Sequence, residues 1–305
     1  MIHKEIILES LKSTNKVHEK VENILYHAID EENLKNFRNN ELSYFTGALT
    51  YPDINKGVWF HRGIIRHYFG ILKDLYVYKS RAKKFLKKHN LKYHDFKDDL
   101  IGKPITYNFT NFSETGTNIY NNFMYSLIQP HLNNTKSILE VGAGFGKLCS
   151  LIVENNNINY NIVELAGTSL ICNYYLTEKF RNTKININFF NQNLDYMKEE
   201  NGQINIIPSI LLDNNKDKFS YIDTVINTQS FQHMDEKDIL FYLKLIKDNQ
   251  INKIISINRH AEKMEGETRF IEIFRKNGIK NQLSLNLDLD FFGLKNHNLD
   301  IFVNN

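Results

Sequence analysis

Cysteine is scarce in this chain: Cys149 and Cys172 are the two it has. Both fall in stretches that read as helices beside a glycine-rich turn, where a buried thiol behaves as a small hydrophobe. A disulfide-stapled secreted scaffold is therefore excluded. Long hydrophobic runs are missing as well. The longest, Ile204 to Leu212, is interrupted by Asn and Pro and falls far short of the ~20 residues of a spanning helix. The opening stretch MIHKEIILESLKSTNKVHEK mixes charges with apolar residues and has neither an apolar core nor a small-residue cleavage site. The cytoplasm is the expected compartment. Charge of one sign is not in excess: 38 Lys and Arg stand against 35 Asp and Glu, a net +3, too little to imply a nucleic-acid partner. No internal repeat occurs. No H-x-H, H-E-x-x-H or paired-cysteine spacing is present, so no metal site is expected.

What is there fits a folded protein of ordinary composition, 42% apolar and 24% charged. Its 305 residues are enough for two units, each with its own core. Residues 1–104 read as helices with polar joints. Ile6, Ile7, Leu11, then Val17, Val21, Ile24 and Leu25, recur at helical spacing. Arg81, Lys83, Lys84, Lys87 and Lys88 crowd a helical stretch whose apolar stripe is Ile71, Leu75, Tyr78, Ala82 and Phe85. A solvated helix face accounts for that cluster, and a surface for phosphate, a nucleotide-sugar or anionic lipid is the alternative. Residues 105–305 alternate short apolar runs with helical stretches, the pattern of parallel strands joined by crossover helices. The strands expected are Ser137 to Val141, Asn159 to Glu164, Ile204 to Ile207, Tyr221 to Ile226 and Lys253 to Ile257, closed by an antiparallel pair, Leu283 to Leu289 and Asp300 to Val303. Ile185 to Phe190 competes with Ile204 to Ile207 as the third strand.

The chemistry centres on SILEVGAGFGKL, residues 137–148. Gly142, Gly144 and Gly146 follow a strand and precede a helix, so the backbone can turn tightly and approach a ligand closely. A dinucleotide fingerprint would need a glycine where Lys147 stands. Glu140, before the glycines, repels phosphate and attracts a cation. Glu164 ends the next strand about 20 residues on, where an acid can accept both hydroxyls of a ribose. A ribose, positive charge and no phosphate describe S-adenosylmethionine. His233 follows the fourth strand and Asn258-Arg259-His260 the fifth, both at the carboxyl edge where such sheets bind ligands. His233 is the first candidate for a general base and His260 the second. Arg259 is a candidate for an anionic group of the acceptor. Trp59, His61 and Arg62 offer an aromatic platform with donors that suits a sugar ring. Glu114 and Tyr120 are placed to close over the cofactor, or else to support the start of the helix Asn118 to Leu127.

The E-x-G-x-G-x-G turn and the acid after it resemble the first two motifs of class I S-adenosylmethionine-dependent methyltransferases. Ile101-Gly102-Lys103-Pro104, residues 138–146 and Ile226-Asn227-Thr228-Gln229-Ser230-Phe231-Gln232-His233-Met234 together resemble the ordered blocks of bacterial sugar O-methyltransferases. The resemblance spans roughly residues 50 to 260, and His233 departs from it where that branch carries Glu. It implies a Rossmann-like class I methyltransferase sheet, mostly parallel with an antiparallel C-terminal pair, preceded by a mainly helical domain that shapes the acceptor pocket. By the resemblance Glu140 and the backbone of Gly142, Ala143, Gly144 and Gly146 hold the methionine part. Glu164 and Leu165 hold the ribose, Asn227 adds a cofactor contact, and the adenine meets Asn193 or Ser209 after the third strand. Gln232 joins the acceptor side. The implied activity is O-methylation of a sugar or sugar nucleotide for a surface polysaccharide, with S-adenosylhomocysteine as product. Methylation of another small metabolite, on nitrogen or a phosphorus-bound oxygen, is the alternative. An RNA-binding methyltransferase or a non-catalytic cofactor-binding protein ranks behind both.

Overall fold

The computed structural model describes residues 64–101, 106–109, 112–190, 194, 202–212, 215–259, 269–287, 289, 294 and 296–304. The helices expected before residue 63, the platform Trp59, His61 and Arg62, and both Asn193 and His260 lie outside the described residues. The chain divides into two compact units, residues 1–130 and 131–305. The division expected after residue 104 falls inside the first of them.

In the first unit, α1 (Ile64–Lys88) buries Ile71, Leu72, Leu75, Ala82 and Leu86 along one stripe. Arg81, Lys83, Lys84, Lys87 and Lys88 are exposed. Lys87 and Lys88 occupy the last turn, where cations suit the helix dipole, and Lys83 reaches Asp95 at 3.1 Å. A short hairpin of β1 (Tyr107–Phe109) and β2 (Phe112–Glu114) leads into α2 (Gly116–Ile128). Thr115 caps α2 by accepting from the Asn118 amide at 3.0 Å. Glu114 pairs with Lys79 and accepts from the Asn118 side chain at 2.9 Å.

The second unit is one sheet with flanking helices. In chain order its elements are β3 (Ser137–Val141), α3 (Lys147–Asn155), β4 (Asn159–Glu164), α4 (Ala166–Phe180), β5 (Asn186–Phe189), β6 (Gln203–Pro208), β7 (Thr224–Thr228), α5 (Glu236–Asp248), β8 (Lys253–Arg259), α6 (Phe270–Lys276), β9 (Lys280–Asn286) and β10 (His297–Val303). The strand order across the sheet is β5-β6-β4-β3-β7-β8-β10-β9. All neighbours pair in parallel up to β8, and β10 runs antiparallel to both β8 and β9. Every residue of β3, β4 and β6 is buried, as expected of central parallel strands covered on both faces. Both contenders for third strand are strands. Ile204 to Ile207 lies in β6 and pairs with β4, while β5 adds an outer edge.

One sheet face carries Leu139, Val141, Val163, Ile207, Val225 and Ile254 into the core beneath α5 and α6. Toward the other end of the strands that same face holds a ladder of amides. Asn161 donates to the Ile138 carbonyl at 3.0 Å and to Asn159 at 2.7 Å. Its Oδ1 accepts from Asn205 and from the Tyr221 hydroxyl, each at 2.8 Å, and Gln203 donates to Asn205 at 2.6 Å. Each buried amide thus finds partners, which removes most of the cost of placing it there. Among the described residues no helix is long and apolar enough to cross a membrane.

Candidate active site

The turn between β3 and α3 takes positive φ at three glycines: 76° at Gly142, 59° at Gly144 and 90° at Gly146. They serve different ends. A Cβ on Gly142 would sit 2.2 Å from Ser230 Oγ, and one on Gly146 would sit 2.9 Å from Cys172 Sγ. A Cβ on Gly144 would meet nothing within 4 Å. The first and third glycines allow close packing, and the middle one borders open space. Gly142→Ala is expected to destabilise the fold by ~2–4 kcal/mol, since the left-handed backbone and the displaced Ser230 add up. Gly144→Ala should cost only ~1 kcal/mol, for its backbone alone. Urea unfolding midpoints of the two variants check the contrast.

Beside Gly144 lies Glu164, at the end of β4. Its Oε2 accepts from the Gly144 amide at 2.7 Å and its Oε1 from the Leu165 amide at 2.8 Å. Burial pushes its carboxyl up to about 7, against the pull of those two amides. Glu140 is buried beneath the turn, with Oε2 accepting from the Tyr160 hydroxyl at 2.9 Å and Oε1 without a partner. Burial is the main reason that its carboxyl stands at about 8, and the nearby Glu164 charge adds to the rise. The Lys147 ammonium lies 5.8 Å from the centre of the Tyr175 ring.

Two buried carboxyls that resist ionisation make a site that gains from a positive ligand and loses from a diphosphate. They also set a pH dependence. Both are raised above an ordinary value of 4.5, so their contribution to stability is complete below that pH and is lost as pH climbs through about 7 and about 8. The thermal midpoint of the free protein is expected to fall between pH 5 and pH 8, and Glu140→Gln should flatten the fall.

Past β7 the chain crosses over the glycine turn. Asn227 is fully buried and donates to the Val141 carbonyl at 2.8 Å, while its Oδ1 accepts from the Phe231 amide at 3.0 Å and from Asn258 Nδ2 at 2.7 Å. These bonds tie β7 to β3 and to β8. Gln232, expected at the acceptor, is 3% exposed. Its Oε1 accepts from the Arg259 amide at 2.8 Å, and its Nε2 stands 3.0 Å from His233 Nε2. His233 itself is exposed, on the single 3-10 turn Phe231–His233 that precedes α5. Asp235 caps α5 by accepting from the Asp238 amide at 2.8 Å. Arg259, at the end of β8, is half-buried. Ser209 directly follows β6, the strand beside β4.

The sheet is mostly parallel and Rossmann-like, with the antiparallel C-terminal pair that the sequence implied. No protein-family model and no curated protein matches the chain. Solved structures do, at a distance. The mitomycin 7-O-methyltransferase MmcR is 11% identical over 61% of this chain and 57% of its own, with a TM-score of 0.40. The methyltransferase domain of a bacterial Hen1 is 16% identical over 59% and 97%, at 0.42. The CurJ carbon methyltransferase is 11% identical over 62% and 55%, at 0.43. The chain thus spans little more than half the length of MmcR and CurJ.

Within the second unit, then, the glycine turn, Glu164 and Leu165 stand together, and Gln232, His233 and Arg259 form a second group past β7 and β8. Glu114 and Tyr120 belong to the first unit, where Glu114 is engaged by Lys79 and Asn118. One residue stood in the sequence only inside the block 226–234 and was given no role of its own. Gln229, just past β7, holds φ at 55° and buries its side-chain nitrogen without a partner. A left-handed backbone and an unpaired donor in one residue is a costly combination, of the kind that gathers at functional sites. Its place directly after a strand at the ligand edge was the one signal available.

Proposed function

We propose that this protein is an S-adenosylmethionine-dependent methyltransferase that modifies an oxygen of a small acceptor, a hydroxyl of a sugar or sugar nucleotide. The observation that carries the reading is the Glu164 carboxylate, fixed at both oxygens by backbone amides beside the open space at Gly144. The residues present fit the donor. Glu164 would accept the ribose hydroxyls, the backbone of Gly142, Ala143 and Gly144 would border the methionine part, and Ser209 would stand by the adenine. When bound, the donor supplies a methyl group already activated on a sulfonium.

The chain's own work is alignment, exclusion of water and removal of one proton. An alcohol is too weak an acid to ionise unaided at neutral pH, so a neutral imidazole at the edge of the sheet is assigned that proton. His233 is that group. Arg259 is assigned to an anionic group of the acceptor, such as the phosphate of a sugar nucleotide. The sugar itself is supported by the likeness of residues 101–104 and 226–234 to sugar O-methyltransferases.

Calorimetric titration with S-adenosylmethionine and S-adenosylhomocysteine tests the donor. Saturable heat with both is expected, and heat with a dinucleotide in their place would overturn the reading. Mass spectrometry of sugars and nucleotide-sugars incubated with enzyme and donor tests the acceptor, the expected product being heavier by one methylene.

A further inference from the structure

We propose that Gln232 is a positioning residue for His233, one that fixes which ring nitrogen is basic and keeps the imidazole neutral. The inference rests on the methyltransferase reading for its purpose, though not for its geometry.

An amide side chain can turn over, exchanging its oxygen and nitrogen. Gln232 cannot do so without loss, because its Oε1 accepts from the Arg259 backbone N–H at 2.8 Å and an NH₂ group has nothing to accept with. The nitrogen is therefore the end that faces His233 Nε2 at 3.0 Å. Since that nitrogen only donates, Nε2 must hold the lone pair and the ring proton must sit on Nδ1. The post is rigid as well as oriented. The Gln232 amide donates to Asn258 Oδ1 at 3.3 Å, Asn258 donates to Asn227, and Asn227 donates to the Val141 carbonyl, at the end of the strand that bears the glycine turn. A buried side chain thus holds an exposed ring in register with the cofactor turn.

A hydrogen bond donated to the neutral imidazole disfavours its protonation. Gln232 in this way keeps His233 neutral, the form that a base requires. The charged residues nearest His233 in the chain on the adjoining described elements are Arg259 at the end of β8 and Asp235, Glu236, Lys237 and Asp238 at the start of α5. All five are retained when Gln232 alone is changed.

The test needs no ligand. Nitrogen-15 NMR of the His233 ring in the free, full-length protein should show Nδ1 protonated and Nε2 bare. In Gln232→Glu, one carboxylate oxygen keeps the Arg259 amide and the other demands a proton on Nε2. The ring titration should then move up by about one pH unit or more. The acidic limb of kcat/KM should follow it, with calorimetric affinity for the donor unchanged. A proton on Nε2 in the unmodified protein overturns the proposal whether or not the variant folds, and so does an unmoved titration in a folded Gln232→Glu. Absence of donor heat would sink the methyltransferase reading and leave the tautomer measurement standing, so the two failures are distinguishable.

Discussion

Glu164→Ala is expected to weaken S-adenosylmethionine binding by ~100-fold while the protein stays folded. Two hydrogen bonds from ribose hydroxyls to a carboxylate are worth ~1.5–3 kcal/mol each, and a loss of ~3 kcal/mol corresponds to ~100-fold in Kd. The fold should survive because the two amides that Glu164 now satisfies belong to Gly144 and Leu165, both partly exposed, and water can replace the carboxylate there. Removal of a buried acid that stands at about 7 also relieves a burden at neutral pH. Glu164→Gln, which keeps an acceptor and loses the charge, should fall between the two, at ~10-fold. Isothermal calorimetry reads both values. An unchanged Kd in the alanine variant would move the ligand away from Glu164 and take the proposed donor geometry with it.

His233→Ala should behave in the opposite way, with kcat lowered ~10²-fold or more and donor affinity intact. The ring is exposed, so its removal opens no cavity in the core. The backbone of its turn is held independently, the His233 amide by the Ser230 carbonyl at 3.0 Å and the next amide by Phe231. Single-turnover rates across pH separate the outcomes: loss of the acidic limb along with the rate identifies the base. Full activity in the variant would pass the role to another group, and His260 is the next to test.

Legibility in the sequence followed burial. β3 and β4 were readable to the residue because both faces of each are covered, so apolar runs stop where the strands stop. β7 starts later than its apolar letters suggest. Tyr221 lies in a turn that the Ile222 amide closes by bonding back to Phe219, and the Tyr221 hydroxyl reaches Asn161. β9 was placed three residues too far along because nearly all of it is exposed and no alternation marks its ends. The tight turn at the glycines and the place of Glu164 at the end of β4 were legible because both are local features. The partners of Asn227 and Gln232, Val141 and Arg259, are 86 and 27 residues away and were not legible. No local pattern shows which way such a side chain turns. The same holds for the asparagines inside the sheet, which in sequence look like compositional bias.

Those asparagines have a consequence for how the chain finds its shape. Asn161 and Asn205 stand level with each other in the β4–β6 pair, and a slip of one residue between the strands would swing one amide to the opposite face and take its partner from the other. Each polar group stranded in this way forfeits ~1–3 kcal/mol, a penalty that interchangeable isoleucines in the same strands could not impose. The asparagines therefore act as a proofreading device for strand alignment, and every crevice residue borne on β4 and β6 inherits its position from that check.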